Sequence, residues 1–330
     1  MLIFLSKNDI IILYIINIER NNGMKHIFVI NPAAGPKSSA EYIKERLAEI
    51  GASDISEIYI TKGPKDATEF VRRRCTESPD EQLRFYSCGG DGTLCEVVAG
   101  IVGFDNAEMS CYPCGSGNDY VKYYGSSDVF LDLEALINSE ASPVDLMKVC
   151  DRYSINVCNF GFEAVVAQTM INVKRKKLIG GKNAYTTGVV KAVFTGMRNK
   201  CTVIADGETI NPNGKMLLCN TANGRFVGGG YQCAPRSLND DGLIELCFVK
   251  PISIFKFLKL IGKYQKGTHL DDEKYFDCIT YRRVKKVDVI VDGKMAVCID
   301  GEIENSGNFS IEILPGAIKF AAPTKVVAKV

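Results

Sequence analysis

Chemistry-bearing residues concentrate first in Gly89-Gly90-Asp91-Gly92-Thr93-Leu94-Cys95-Glu96, which follows the apolar run Leu83 to Ser87. The stretch reads as a buried strand, a tight glycine turn and the opening of a helix. Gly89, Gly90 and Gly92 permit positive φ and let a ligand approach the backbone with no Cβ in the way. Thr93 suits an N-cap or first helical turn, and Glu96 stands three residues later, as in a capping box. Unsatisfied N–H groups at such a helix start attract anions, phosphates above all. The reading is a phosphate-binding turn with one carboxylate, Asp91, inside it; an ordinary strand-to-helix turn is the alternative.

Two further loops have the same character. Asn31-Pro32-Ala33-Ala34-Gly35 follows the apolar run Ile27 to Ile30, and Cys114-Gly115-Ser116-Gly117-Asn118-Asp119 follows Met109 to Tyr112. Around them strands and helices alternate. A helix is expected from Ser38 to Ile50, a strand over Ile55–Ile60 closed by Thr61-Lys62-Gly63, a helix from Pro64 to Cys75 and another from Leu94 to Ile101. This alternation implies parallel βαβ units with right-handed crossovers, hence a doubly wound sheet. Ligands of such sheets sit at the carboxyl ends of the strands, where all three loops fall. Together they describe a nucleotide pocket without a P-loop lysine.

Beyond residue 150 the pattern changes to strands: Ser154–Phe160, Cys201–Ala205, Lys215–Ala222, Leu243–Val249, Lys286–Val291 and Lys294–Ile299. Several meet across Asp-Gly or Asn-Gly turns, a strong hairpin signal. A helical stretch over 164–198 interrupts them and carries the basic run Lys174–Lys177 and a break at Gly180-Gly181. The fold class is therefore α/β plus β: a doubly wound nucleotide-binding domain over 24–149 and an antiparallel β-sandwich over 150–317, with the active site in the cleft between them. The apolar residues 318–330 are expected to return and complete the first domain, and residues 1–23 to form an extension outside the fold. Asn239-Asp240-Asp241-Gly242, Gly228-Gly229-Gly230 and Asp300-Gly301-Glu302 carry the second domain's acidic and glycine-rich turns.

Composition bounds the alternatives. The 330 residues suffice for two cores, and a net charge of +1 gives no global field for nucleic acid. Thirteen cysteines without a disulfide framework read as reduced thiols, hence a cytoplasmic protein. Pro251–Gly267 reads as an amphipathic basic helix with Ile254, Phe255, Phe257, Leu258 and Ile261 between lysines. It suits either peripheral contact with the inner membrane face or a core-covering role.

With these motifs in this order, the chain resembles the diacylglycerol kinase catalytic-domain family of soluble bacterial lipid kinases, related to sphingosine kinases and distantly to NAD kinases. The resemblance covers Lys25 onward. It implies ATP-dependent phosphorylation of a lipid hydroxyl, most simply diacylglycerol to phosphatidic acid, with Mg²⁺. It assigns nucleotide contacts to Asn31, Pro32, Ala33, Ala34, Gly35, Thr61, Gly90, Asp91, Gly92, Thr93, Leu94, Cys95, Glu96, Ser116 and Glu302. Ser116 stands where threonine is usual and keeps the hydroxyl; Cys95 replaces a common asparagine. The general base maps to Asp300. A structural Mg²⁺ maps to Asp241 and the carbonyls of Leu238 and Leu243, with Asp91 and Asp145 linking that region to the centre. The partner implied is a lipid acceptor at a membrane surface, and a homodimer is left open. An NAD kinase-like enzyme and a nucleotide-binding regulator without transferase activity are the rival readings.

Overall fold

A computed structural model describes residues 23–35, 40–175, 196–197 and 199–323. The expected extension, the basic residues Lys176 and Lys177, the break at 180–181 and the tail beyond 323 lie outside the described residues. The described chain divides into two compact units, one holding 23–115, 124–143 and 318–323, the other 116–123 and 144–317.

In the first unit the elements are β1 (Met24–Ile30), α1 (Ala40–Glu49), β2 (Ser56–Ile60), α2 (Asp66–Glu77), β3 (Gln82–Gly89), α3 (Asp91–Ile101), β4 (Ala107–Pro113) and α4 (Leu133–Asn138). All the pairings are parallel, in the order β2-β1-β3-β4. Phe320, in a later strand, adds a parallel neighbour to β4 at Met109. Ile27, Phe28, Val29 and Ile30 are all buried, because a strand covered on both faces alternates with nothing polar. The order reverses between β1 and β3, which makes their carboxyl ends the topological switch point. Helices α2 and α3 pack closely: a Cβ on Gly100 would stand 2.7 Å from Val71 Cβ. Buried Arg84 pairs with Glu108 at 2.5 Å and donates to the carbonyls of Leu136, Ile137 and Ser139 at the end of α4.

The second unit continues with β5 (Ala141–Val149), whose first residues belong to the first unit, then β6 (Arg152–Ser154), β7 (Val157–Gly161) and α5 (Phe162–Arg175). Next come β8 (Asn199–Lys200), β9 (Thr202–Ala205), β10 (Glu208–Thr209), β11 (Lys215–Met216), β12 (Leu218–Ala222), β13 (Ile244–Val249) and α6 (Ile254–Gln265). The last strands are β14 (Ile279–Val284), β15 (Lys286–Ile290), β16 (Met295–Ile299), β17 (Glu302–Ser306) and β18 (Phe309–Ala321). One antiparallel sheet runs β14-β13-β12-β7-β16-β17. Strands β10, β9, β15 and the first part of β18 pair antiparallel in a second sheet. Phe160, Cys219, Phe248 and Val297 from one sheet share a core with Val203, Val289, Phe309 and Ile311 from the other, which makes this unit a sandwich. Helices α5 and α6 cover the outer face of the first sheet through Phe162, Phe257 and Leu260.

One expected strand is broken. Ser154–Phe160 does not run through, because the backbone N–H groups of Ile155, Asn156 and Val157 turn to the Asp300 carboxylate. The expected helix from Ala164 begins two residues earlier, at Phe162, and is described to Arg175. The Asp-Gly hairpin reading holds for β9–β10, where Asp206 and Gly207 take φ 47 and 84; Asp292-Gly293 instead joins β15 to β16 in the other sheet, and Asp300-Gly301, at φ 46 and 91, makes the β16–β17 hairpin. All thirteen cysteines are free, most of them buried, and burial pushes the Cys201, Cys247 and Cys298 thiols up to about 12.

Both histidines of the chain are buried and kept neutral. Burial, with Arg84 and Lys25 nearby, lowers His26 to about 3, and burial lowers His269 to about 4. Burial raises Glu163 to about 7. Between about pH 6 and 5 the unfolded chain therefore binds two imidazole protons that the native state refuses, while native Glu163 holds one that the unfolded chain releases. From these three groups the net excess of one proton in the unfolded state makes stability fall as the pH falls, by about 1.4 kcal/mol per unit. Denaturant titrations across this window should show that slope, flattened in His26→Gln and steepened in Glu163→Gln.

Candidate active site

At the switch point of the first unit the loop after β1 is held by backbone and side chain together. Asn31 donates from N to the Cys88 carbonyl at 3.0 Å and from Nδ2 to Thr93 Oγ1 at 3.1 Å, while its Oδ1 accepts from Ala33 N at 3.0 Å. Asn31 thus ties the small-residue loop to the first turn of α3. The chain after β4 joins them: Cys114 N and Gly115 N both donate to the Gly89 carbonyl, at 2.8 and 3.2 Å. Thr61, just beyond β2, donates from N to the Ile30 carbonyl at 2.8 Å. Asn31 to Gly35, Thr61 and Gly90 to Glu96 therefore come to one sheet edge. Ser116 directly follows Gly115 and is assigned with 117–123 to the second unit.

The glycines serve a purpose other than the one expected. None of Gly89, Gly90 and Gly92 takes a positive φ. A Cβ on Gly89 would lie 2.2 Å from Thr93 Oγ1, one on Gly90 3.3 Å from Gly115 Cα, and one on Gly92 would meet nothing within 4 Å. The turn needs close approach, and in the loop after β1 the positive φ falls at Gly35, at φ 126. The expected capping box is also absent. Gly90 is the N-cap of α3, Thr93 is buried against Asn31, and Glu96 reaches away to accept from Lys65 N at 2.9 Å and Ala67 N at 3.2 Å. The Glu96 carboxylate therefore caps α2, whose own N-cap, Lys65, has no side-chain bond to offer.

The second unit gathers the other motifs into one polar network. Asp300 Oδ1 accepts from Ser154 Oγ at 2.7 Å, Asn156 N at 3.1 Å and Val157 N at 2.8 Å, and Oδ2 accepts from Ile155 N at 2.8 Å. The Asn156 carbonyl accepts from Asn223 N and Gly224 N, and its Nδ2 donates to the Phe226 carbonyl. Asn223 Nδ2 donates to the carbonyls of Ile155 and Asp145 at 3.0 and 2.7 Å. Asp145 then holds the acidic turn: its Oδ2 accepts from Gly242 N at 2.6 Å and its Oδ1 from Gly316 N at 2.7 Å. Burial raises the Asp145 carboxyl above the usual range against the lowering effect of those two amides. Gly228, Gly229 and Gly230 all take positive φ, and Gly229 N donates to Asp119 Oδ2 at 2.9 Å.

Two predicted site residues carry partners that the sequence did not suggest. Glu302 pairs with Arg152, which also reaches Glu304 at 3.4 Å. Asp241 accepts from Leu243 N at 3.0 Å and pairs with Arg283, whose Nε also reaches buried Glu245 at 3.1 Å. A Mg²⁺ ion on the Leu238, Asp241 and Leu243 donor set would compete with the Arg283 guanidinium for the Asp241 carboxylate. Among the described residues no group of three or more His, Cys, Asp or Glu could hold a metal. Asn223, Arg152 and Arg283 escaped the sequence reading, since only the strand register brings them to the motifs.

Two outcomes test this geometry. Gly89→Ala should lower the melting temperature and weaken ATP binding by at least tenfold, read by calorimetric titration, while Gly92→Ala, whose Cβ would meet no protein atom, should leave the melting temperature near wild type. Mg²⁺ should raise the melting temperature more in Arg283→Gln than in wild type, because the variant uncovers the Asp241 carboxylate.

The comparisons with known proteins follow the same division. Residues 25–149 match the diacylglycerol kinase catalytic domain, and residues 156–322 match the YegS C-terminal NAD kinase beta sandwich-like domain. The chain is 30% identical over 243 residues to "Probable lipid kinase YegS-like" of Shewanella frigidimarina, covering 71% of this chain and 75% of that one. It is 28% identical over 220 residues to a diacylglycerol kinase of Bacillus subtilis, covering 66% and 70%. In structure it resembles a diacylglycerol kinase of Bacillus anthracis, with a TM-score of 0.63 over 90% of this chain and 96% of that one. At 18% identity that last likeness is one of fold.

Proposed function

We propose a function from one premise: the chain belongs to the YegS-like lipid kinases, the family that carries the diacylglycerol kinase catalytic domain. It transfers the γ-phosphoryl group of ATP to a lipid hydroxyl, with diacylglycerol as acceptor and phosphatidic acid as product. The observation that carries the proposal is the tie of Asn31 to Thr93 beside the Gly89 turn, at the switch point of a doubly wound sheet. Phosphates are the ligands such an edge suits best, since the first turn of α3 offers backbone N–H groups and the positive end of the helix dipole.

Phosphoryl transfer asks the protein for positioning and charge stabilisation more than for covalent chemistry. The loops Asn31–Gly35 and Gly90–Thr93 hold the nucleotide in this proposal, with Glu96 acting through α2 as a positioning residue. Asp91 is the carboxylate suited to hold a Mg²⁺ ion, which would offset the phosphate charge when bound. Asp300 takes the proton of the acceptor hydroxyl. Three backbone amides and the Ser154 hydroxyl fix its carboxylate in one orientation, which suits a base that must wait for its substrate. The reaction requires the first unit's loops and Asp300 to meet the same phosphoryl group.

Asp300→Asn should lower kcat by about 10²-fold or more while ATP affinity stays within a few-fold of wild type. A loss of activity that only tracks the loss of folded protein, read from the melting curve, would assign Asp300 a purely structural role. Labelled ATP offered with diacylglycerol, phosphatidylglycerol, a long-chain base and NAD in parallel tests the acceptor. Transfer to diacylglycerol is expected; transfer to NAD alone would overturn the lipid reading.

A further inference from the structure

Helix α6 has two apolar faces, and only one of them is explained by the core. Phe257, Leu260 and Tyr264 are buried. Phe255 and Leu258 point the other way and are 76% and 59% exposed. A third exposed aromatic, Phe276 at 59%, lies within the segment that the helix start grips, between Tyr275 and Asp277. Lys256 Nζ bonds both oxygens of Asp277 at 2.7 and 2.9 Å and lies 5.9 Å from the Tyr275 ring. In sequence Phe255 adjoins Lys256 and Phe276 adjoins Asp277, so one tether links the two segments that carry the exposed rings.

Charge accompanies this patch. Helix α6 contains Lys256, Lys259 and Lys263, ends at Lys266 and contains no acidic residue. Lys256 and Lys263 are engaged with Asp277 and Asp272, whereas Lys259 and Lys266 make no ion pair among the described residues. At positions 255, 258, 259, 262 and 266 the helical repeat puts Phe, Leu, Lys, Gly and Lys on one stripe. Lysine is depleted in the buried centre of protein–protein interfaces. Apolar rings among lysines match instead the boundary between acyl chains and anionic headgroups, where rings insert and ammonium groups stay at headgroup level. Among the described residues no helix is long and apolar enough to cross a membrane, so the contact would be a surface one.

We propose that the outer face of α6, with Phe276, docks this protein on the surface of an anionic phospholipid bilayer. The lipid-kinase reading supplies the purpose of this surface, since a kinase of membrane lipids must reach them, but docking itself is measured without turnover.

The test is co-sedimentation of the full chain with vesicles of phosphatidylcholine alone and of phosphatidylcholine with phosphatidylglycerol. Wild type should prefer the anionic vesicles by about tenfold or more, and high salt should erase most of the preference. The triple variant Phe255→Ser, Leu258→Ser, Phe276→Ser, which alters only exposed side chains, should keep its melting temperature and lose about tenfold in vesicle affinity. Lys259→Gln and Lys266→Gln should each cost about fivefold on anionic vesicles and nothing on neutral ones. Equal vesicle binding by wild type and the triple variant overturns the proposal. So does a wild-type dimer that the triple variant dissociates, with no vesicle binding by either. Vesicle binding as expected without transfer to any lipid would leave docking standing and overturn the kinase reading alone.

Discussion

The Asp300 carboxylate, accepting one hydroxyl and three successive backbone amides, is the constraint on which the polar half of the second unit depends. Those amides are lost to the sheet ladder, so β6 and β7 are separated at the point where they turn to the carboxylate. Asp300 itself holds φ 46, a conformation an L-residue keeps only when its surroundings compensate, and the four bonds are that compensation. From Asn156 the bonding runs to Asn223 and on to Asp145, which grips the acidic turn at Gly242. Asp145 and Asp300 are thus held by one connected set of bonds, which also grips the turn beside Asp241.

The first unit solves a different problem by exclusion. Thr93 sits so close to Gly89 that no side chain fits between them, and this proximity lets Asn31 reach the threonine hydroxyl. The parallel sheet provides the setting because β1 and β3 are neighbours whose chains leave in opposite directions. The loops are small because they share a confined edge.

Much of this was legible in the sequence because loops that need little volume are written in small residues, and sheets covered on both faces in unbroken apolar runs. Ile27 to Ile30 and Leu83 to Ser87 could hardly have been anything else. What escaped was the identity of partners. Composition marks Gly89 as special but cannot separate a left-handed turn from a close contact. Glu96 sits at capping-box spacing and yet caps α2, a choice made by how α2 lies against α3. Arg283 meets Asp241 because it stands opposite Glu245 across β13 and β14, and no local pattern encodes that register. The expected break between domains likewise missed the short segment 116–123, whose Tyr120 and Tyr123 hydroxyls bond Asn239 in the second unit.

Strand β18 serves two cores in succession: Phe309 and Ile311 fill the sandwich, and Phe320, stacked near Tyr124 and Phe130, closes the flank of β4 in the first unit. The first unit is consequently first to be translated and last to be finished. While the ribosome makes the sandwich, β4 presents an unpaired edge and an unfilled aromatic slot, both of which invite mispairing. Its folding order is therefore written into the topology: the nucleotide-binding unit must wait, partly open, until the residues around Phe320 emerge and seal it.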